Sequence, residues 1–150
     1  MEIDEMTGEE CIAFLEHASL GRLGCSSENQ PYVVPIHFAY EDPYLYAFST
    51  FGQKVKWMRA NPKVCVQTDE IQNQSEWNSV IVCGEYEELP EPQYTAERMH
   101  ASSLLAKRYH WWLNALGERQ MRVGENSIEV LFFRIRIQSM SGLRATEEKR

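Results

Sequence analysis

No window of the chain approaches the roughly 18 consecutive apolar residues that a membrane-spanning helix needs. Nor does the start of the sequence carry a basic stretch followed by an apolar run and a small-residue cleavage site. The pattern leads to the expectation of a cytoplasmic protein that does not engage a membrane. The four cysteines, Cys11, Cys25, Cys65 and Cys83, form no CxxC pair and have no histidine at metal-ligand spacing. Buried free thiols are therefore expected, and no metal. Also missing are GxSxG, HExxH, GxxxxGKS and GxGxxG, the local signatures of serine hydrolases, zinc proteases, P-loop nucleotide hydrolases and dinucleotide-binding dehydrogenases. Positive charge is scarce: 15 Lys and Arg against 22 Asp and Glu give a net charge of −7. Affinity for nucleic-acid backbones needs accumulated Lys and Arg, so no nucleic-acid partner is expected. Any anion the chain binds must be bound locally.

One absence is itself local. No acid occurs from Tyr44 to Thr68, where an even spread of the chain's acids would put about 3.7, while Lys54, Lys56, Arg59 and Lys63 all fall in that stretch. Within it, STFGQKVKWMRANP runs from Ser49 to Pro62, a polar turn leading into a short helix with lysines in its first turn. The N-terminal end of a helix is the positive end of its macrodipole and favours acids, so these lysines oppose the local field unless an anion sits among them. Ser49 and Thr50 offer hydroxyl donors, Gly52 permits a tight turn, and the first helical amides have no intrahelical partner. These are the parts of a phosphate cradle. They also suit a solvated basic helix with a Ser or Thr N-cap.

What is present reads as one folded domain over residues 1–150, with 43% hydrophobic and 25% charged residues. Thr7 and Glu10 have capping-box spacing ahead of an apolar helical stripe. A short strand is expected from Gly21 to Cys25, then PYVVPIHFAY as a strand whose internal Pro35 belongs at an edge or bulge. EDP makes a turn into YLYAFST, forming a hairpin. The helix GQKVKWMRAN stops at Pro62; KVCVQT and SVIVCGEYEEL are further strands, with Gly84 the candidate bulge. A helical stretch from about Gln93 to Gly117 precedes the closing strand IEVLFFRIRIQSMSG. Six short, evenly spaced strands indicate a mainly β fold, a small six-stranded antiparallel barrel with helices packed outside or plugging its ends. His37 is the histidine best placed for chemistry, and Glu87 and Glu88 read as solvated surface.

The succession GRLG, PYVVPIHFAYED, LYAFSTFGQKVKWMRANPKVCVQ, WNSVIVCGEYEEL and FRIRIQSMSG resembles the flavin-binding split-barrel superfamily. Within it, the chain looks most like the pyridoxamine 5'-phosphate oxidase-related proteins that include the nitroimidazole-resistance proteins. The likeness covers roughly Gly21 to Leu89 and Ile128 to Gly142. It implies a six-stranded antiparallel split β-barrel with flanking helices, and a homodimer holding FMN at the subunit interface. Ser49, Thr50 and Lys54, with Lys56 as an addition, would bind the FMN phosphate. The backbone of Val34, Pro35 and Ile36 would border the isoalloxazine ring, and Trp77 and Ser79 would approach it from the fifth strand. The implied activity is an FMN-dependent oxidoreductase acting on a small planar, nitro- or quinone-like acceptor; NADH or NADPH is a candidate partner, and the sequence itself names no electron donor. The alternatives are a non-catalytic flavin, deazaflavin or haem binding or sensing protein and, as a minority reading, a pyridoxamine phosphate oxidase. Arg134, Arg136 and Arg144 lie near the C-terminus, but the resemblance assigns none of them to the latter's grip on a substrate phosphate. RYHWW, from Arg108 to Trp112, is expected to cover the cleft, form a dimer contact or pack in the core. One departure matters: Phe48 stands where the nitroimidazole-resistance proteins commonly have a histidine. The resemblance therefore carries the cofactor further than the acceptor, and it identifies no catalytic residue.

Overall fold

The computed structural model describes residues 1–108 and 130–148. Tyr109 to Trp112 of the RYHWW segment, and the rest of the helix expected to reach Gly117, lie outside the described residues. In chain order the elements are β1 (Glu2–Glu5), α1 (Gly8–His17), β2 (Leu20–Ser27), β3 (Gln30–Glu41), β4 (Tyr44–Thr50), α2 (Gln53–Ala60), β5 (Lys63–Asn73), β6 (Glu76–Glu88), α3 (Thr95–Arg108) and β7 (Val130–Thr146).

Neighbouring strands pair antiparallel in the order β7, β4, β3, β2, β5, β6, and the pairing of β6 with β7 closes the ring. This is the six-stranded split barrel expected from the sequence. β1 is an addition, laid beside the end of β7 from Glu2↔Thr146 to Glu5↔Leu143. Its residues, EIDE, are all exposed, so no burial pattern marked it as a strand; ladder hydrogen bonds define it. α1 begins as its sequence dictates: Glu10 N–H donates to Thr7 Oγ1 at 3.2 Å and Thr7 N–H to Glu10 Oε1 at 3.1 Å, completing the capping box. Between β2 and β3, Ser27 faces Gln30 across a two-residue turn in which Glu28 and Asn29 both take positive φ, 50° and 65°. That is the type I′ geometry whose twist matches a β-hairpin.

Alternation along the strands turns Leu23, Phe38, Leu45, Val66, Val80, Phe133 and Ile135 into the barrel. Cys11 and Leu15 of α1 and Met58 of α2 join the same core. A second cluster lies outside the barrel, where Ala101 and Leu105 of α3 cover Ala39, Tyr46, Leu89 and Phe132. Among the described residues no helix is long and apolar enough to cross a membrane.

The barrel is split between β3 and β4. Their ladder runs only from Glu41↔Tyr44 to Phe38↔Ala47. Beyond Ala47, β4 continues along β7 to Thr50↔Val130, while β3 continues along β2 back to Gln30. The stretch from Pro31 to His37 thus has β2 on one edge and no β4 partner on the other. Pro35, which has no N–H to give a ladder, sits in this half-paired stretch as the sequence suggested.

Gly84 lies at the β6 bulge, where the register with β7 shifts between Cys83 and Gly84. A Cβ built there would fall 2.2 Å from the Arg136 carbonyl oxygen and 2.9 Å from Ile135 Cγ2. Because the first neighbour is backbone, Gly84→Ala is expected to cost about 2 kcal/mol or more. Denaturant unfolding of the variant checks this, and wild-type stability would show that β7 moves aside freely.

Candidate functional site

The split creates two banks. Val34, Pro35 and Ile36 stand on the β3 bank, two to four positions past the last β3–β4 pair; Ser49 and Thr50 stand on the β4 bank, two and three positions past it. Ile36 is buried and Pro35 exposed. Ser49 is 7% exposed, and its hydroxyl donates to the Thr50 carbonyl at 2.8 Å. Thr50 is half-buried. The chain turns at Phe51 and Gly52 into α2, whose first turn has no acid and whose N-cap, Gly52, provides no side-chain cap.

Three sets of contacts hold α2 in place. Val55 and Met58 are fully buried under it, and the Trp57 ring meets Tyr32 of β3 edge-on, centroids 5.7 Å apart. At the C-terminal end, Asn61 Nδ2 donates to the Ser26 carbonyl at 3.2 Å, which ties the helix exit to β2. On the opposite flank Arg59 Nε and NH2 donate to Glu88 Oε1 and Oε2 at 2.5 and 3.2 Å, and the buried Tyr86 hydroxyl donates to Glu88 Oε1 at 2.7 Å. Glu88 is thus part of an α2–β6 clasp and not the solvated carboxylate the sequence suggested. Glu87 likewise accepts from Arg134 Nε at 2.9 Å and lies 3.3 Å from Arg136 Nε. Burial raises the Glu88 carboxyl, but the hydrogen bonds from Arg59 and Tyr86 outweigh it and hold the group below its ordinary value.

The two lysines of α2 diverge, as residues two apart on a helix must. Lys56 is exposed, its Nζ 5.7 Å from the centroid of Phe51, a ring that is itself 54% exposed and also carries the Arg59 guanidinium at 5.1 Å. Lys54 is half-buried beside Cys25 at the end of β2, and burial lowers its pKa, with Cys25 acting in the opposite direction. Among the described residues Lys54 takes part in no ion pair, whereas Arg22, Arg59, Arg98, Arg134, Arg136 and Arg144 all do. A partly desolvated cation without a carboxylate favours an anion from outside.

The β3–β4 divergence leaves the Val34–Ile36 stretch of β3 and Ser49 and Thr50 of β4 on the two unpaired edges, and Lys54 follows in the first turn of α2. The structure places Lys56 on the far flank of α2, and Trp77 and Ser79 elsewhere. Across the sheet Pro35 faces Arg22, Arg22 faces Gln67, and Gln67 faces Ile81. The β6 strand that bears Ser79 is therefore three strands from β3 around the ring. Ser79 Oγ there meets Gln67 Nε2 at 3.1 Å, and Gln67 Nε2 and Arg22 NH1 both donate to Asp69 Oδ2, at 2.8 and 3.1 Å. Trp77 lines a separate surface groove of about 530 Å³ with Glu70, Asn78 and Arg144. His37 faces Leu20 across the β2–β3 ladder and is half-buried. No group of three or more His, Cys, Asp or Glu suited to a metal occurs among the described residues.

The fold defines a split-barrel protein in which an acid-free turn leads from β4 into an α2 start without a side-chain cap. The chain belongs to the pyridoxamine 5'-phosphate oxidase family, whose sequence model matches residues 7–144. It is 46% identical over 113 residues, 75% of each chain, to an uncharacterised protein of Rhizobium meliloti (strain 1021). Among solved structures it is similar to an FAD-binding protein of Mesorhizobium loti, with 42% identity, a TM-score of 0.79, and 98% and 99% of the two chains covered. It shares its fold with a nitroimidazole-resistance-protein homologue of Bacteroides thetaiotaomicron at 18% identity, TM-score 0.68, covering 95% and 89%.

The clasp has a pH signature. Glu88 is held below its ordinary value of 4.5, so its contribution to stability is complete above that value and is lost as pH falls through the lower folded value. The melting-temperature gap between wild type and Glu88→Gln should be widest near neutrality and close as the pH drops below about 4.5. A gap independent of pH would show that the carboxylate charge is not what holds α2.

Proposed function

We propose that the chain is a flavoprotein that holds FMN by its phosphate in the β3–β4 split and works as an oxidoreductase. The observation that carries this reading is Lys54, a half-buried ammonium with no ion pair among the described residues, in the uncapped first turn of α2 a few positions after Ser49 and Thr50. A phosphate supplies the missing negative charge and accepts hydrogen bonds from the Ser49 and Thr50 hydroxyls and the α2 amides. Family membership and the FAD-binding relative support a flavin as the bearer of that phosphate. FMN and FAD share the phosphate next to the ribityl chain, and FMN is the smaller group this one-phosphate cradle calls for.

When bound, the flavin supplies the redox chemistry, taking a hydride from NADH or NADPH and reducing a small planar, nitro- or quinone-like acceptor. The protein's part is to anchor and orient. Lys54 fixes the phosphate electrostatically, Ser49 and Thr50 set its position, and the half-paired edge of β3 at Val34, Pro35 and Ile36 borders the ring. Lys56, across the helix, adds to the positive field without a place in the cradle. Phe48, packed against Phe132, offers no titratable group on the β4 bank, so this reading assigns no catalytic residue there.

The chain acts as a homodimer with the cofactor at its interface. Within one chain Ser79 lies on the strand opposite β3 in the ring, hydrogen-bonded to Gln67, so a second copy best brings β6, with Trp77 and Ser79, over the ring. Lys54→Ala is expected to weaken FMN binding about 10- to 100-fold, the worth of one charge-assisted contact, while leaving the melting temperature of the ligand-free protein close to wild type. Lys56→Ala should change the affinity by about threefold or less. Fluorescence titration with FMN measures both; unchanged affinity in Lys54→Ala would remove the cradle.

A further inference from the structure

All four thiols are free, as the sequence led one to expect, but they are not all buried: Cys11 and Cys25 are, while Cys65 is half-buried and Cys83 exposed. The strand register explains the difference. Cys65 of β5 and Cys83 of β6 are direct partners in the antiparallel ladder, so both side chains project from the same face of the sheet. That face is the outer one, because their neighbours Val64, Val66 and Val82 point into the core. Direct cross-strand partners have Cα atoms roughly 4.5 to 5.5 Å apart, inside the window of about 4.4 to 6.8 Å that a disulfide spans. Eighteen positions separate the two in sequence, and nothing in the local pattern announces the pairing.

The surroundings leave space for the sulfurs. Gly24 faces Cys65 from β2, and a Cβ there would lie 2.9 Å from Cys65 Sγ; its absence is what accommodates the thiol. Both cysteines line an open groove of about 560 Å³ together with Gly24, Lys63 and Tyr32, wide enough to admit a small peptide-like reagent.

We infer that Cys65 and Cys83 form a cross-strand dithiol that closes to an intrachain disulfide by exchange with a low-molecular-weight disulfide, a covalent modification site on the outer face of the β5–β6 hairpin. The exposed Cys83 thiolate attacks one sulfur of the reagent; its S–S bond breaks and one equivalent of thiol leaves. Cys65 then gives up its proton and attacks the Cys83 sulfur of the mixed disulfide. The protein disulfide forms and the second equivalent of thiol departs, so two protein thiols are oxidised and one reagent disulfide is reduced. The closed bond clips the hairpin whose β6 strand carries Ser79 four residues away on the same face. This site does not depend on a flavin, and its readout involves none.

The test treats the reduced full-length protein with glutathione disulfide, blocks the remaining thiols and maps the digest by mass spectrometry. The expected product is a single chain lighter by two hydrogens, with the Cys65 and Cys83 peptides joined and Cys11 and Cys25 alkylated. Cys65→Ser should instead accumulate glutathione on Cys83, because the attacker is retained and the resolving thiol is gone. Cys83→Ser should stay reduced. Retention of four free thiols by the wild type, linkage through Cys11 or Cys25, or a disulfide between two chains would each overturn the assignment.

Discussion

The structure depends on how far β3 and β4 remain paired. The hairpin around Asp42 and Pro43 starts them as neighbours, yet they share only four register pairs before each commits to another partner. β4 keeps seven pairs with β7 and β3 keeps eight with β2. A continuous β3–β4 ladder would seal the barrel and pair the backbone of Ser49 and Thr50 with β3. Divergence leaves the two hydroxyl residues on one bank and a proline-bearing strand edge on the other. α2, pinned by Val55, Met58, Trp57 and the Arg59–Glu88–Tyr86 clasp, follows β4 after two residues.

Electrostatics give that opening its character. Outside the cleft, arginines are matched to carboxylates across strands: Arg22 to Asp69, Arg134 to Glu87, Arg136 to Glu85 and Arg144 to Glu10. Most of these pairs lie at the surface, and each contributes little by itself. Their significance is in what they leave over. In a chain of net charge −7, a partly desolvated lysine without a carboxylate is a cost that folding alone does not require. The cost is sensible where a ligand phosphate completes the site, and family membership makes that ligand a flavin phosphate under the proposed reading.

The parts of the fold legible in the sequence were those specified locally. The capping box at Thr7, the strand alternation through Phe38 and Ile135, the proline in the half-paired stretch of β3 and the glycine bulge in β6 all follow from residues a few positions apart. Strand lengths were less legible. β5 continues to Asn73 and β6 starts at Glu76 because the two polar segments extend one another's ladder, and β7 runs to Thr146 because β1 and β6 flank it. Polar hairpin ends carry no burial signal, so their pairing is a tertiary outcome. The proposed cradle could be named from sequence because Ser49, Thr50 and Lys54 are close together and stand in an acid-free stretch. The opposite faces of Lys54 and Lys56, the Glu88 clasp and the Cys65–Cys83 partnership depend on helix rotation and strand register, which only the assembled barrel sets.

The central claim is that the cleft recognises a phosphate first and a ring second. Comparing the affinities of the purified protein for FMN and for riboflavin, which has the same ring and ribityl chain without the phosphate, measures that directly. The account predicts that riboflavin binds about 100-fold more weakly than FMN, the loss of two or more charge-assisted contacts. It also predicts that raising the salt concentration narrows the gap. Equal affinity for the two, at any salt, would contradict it.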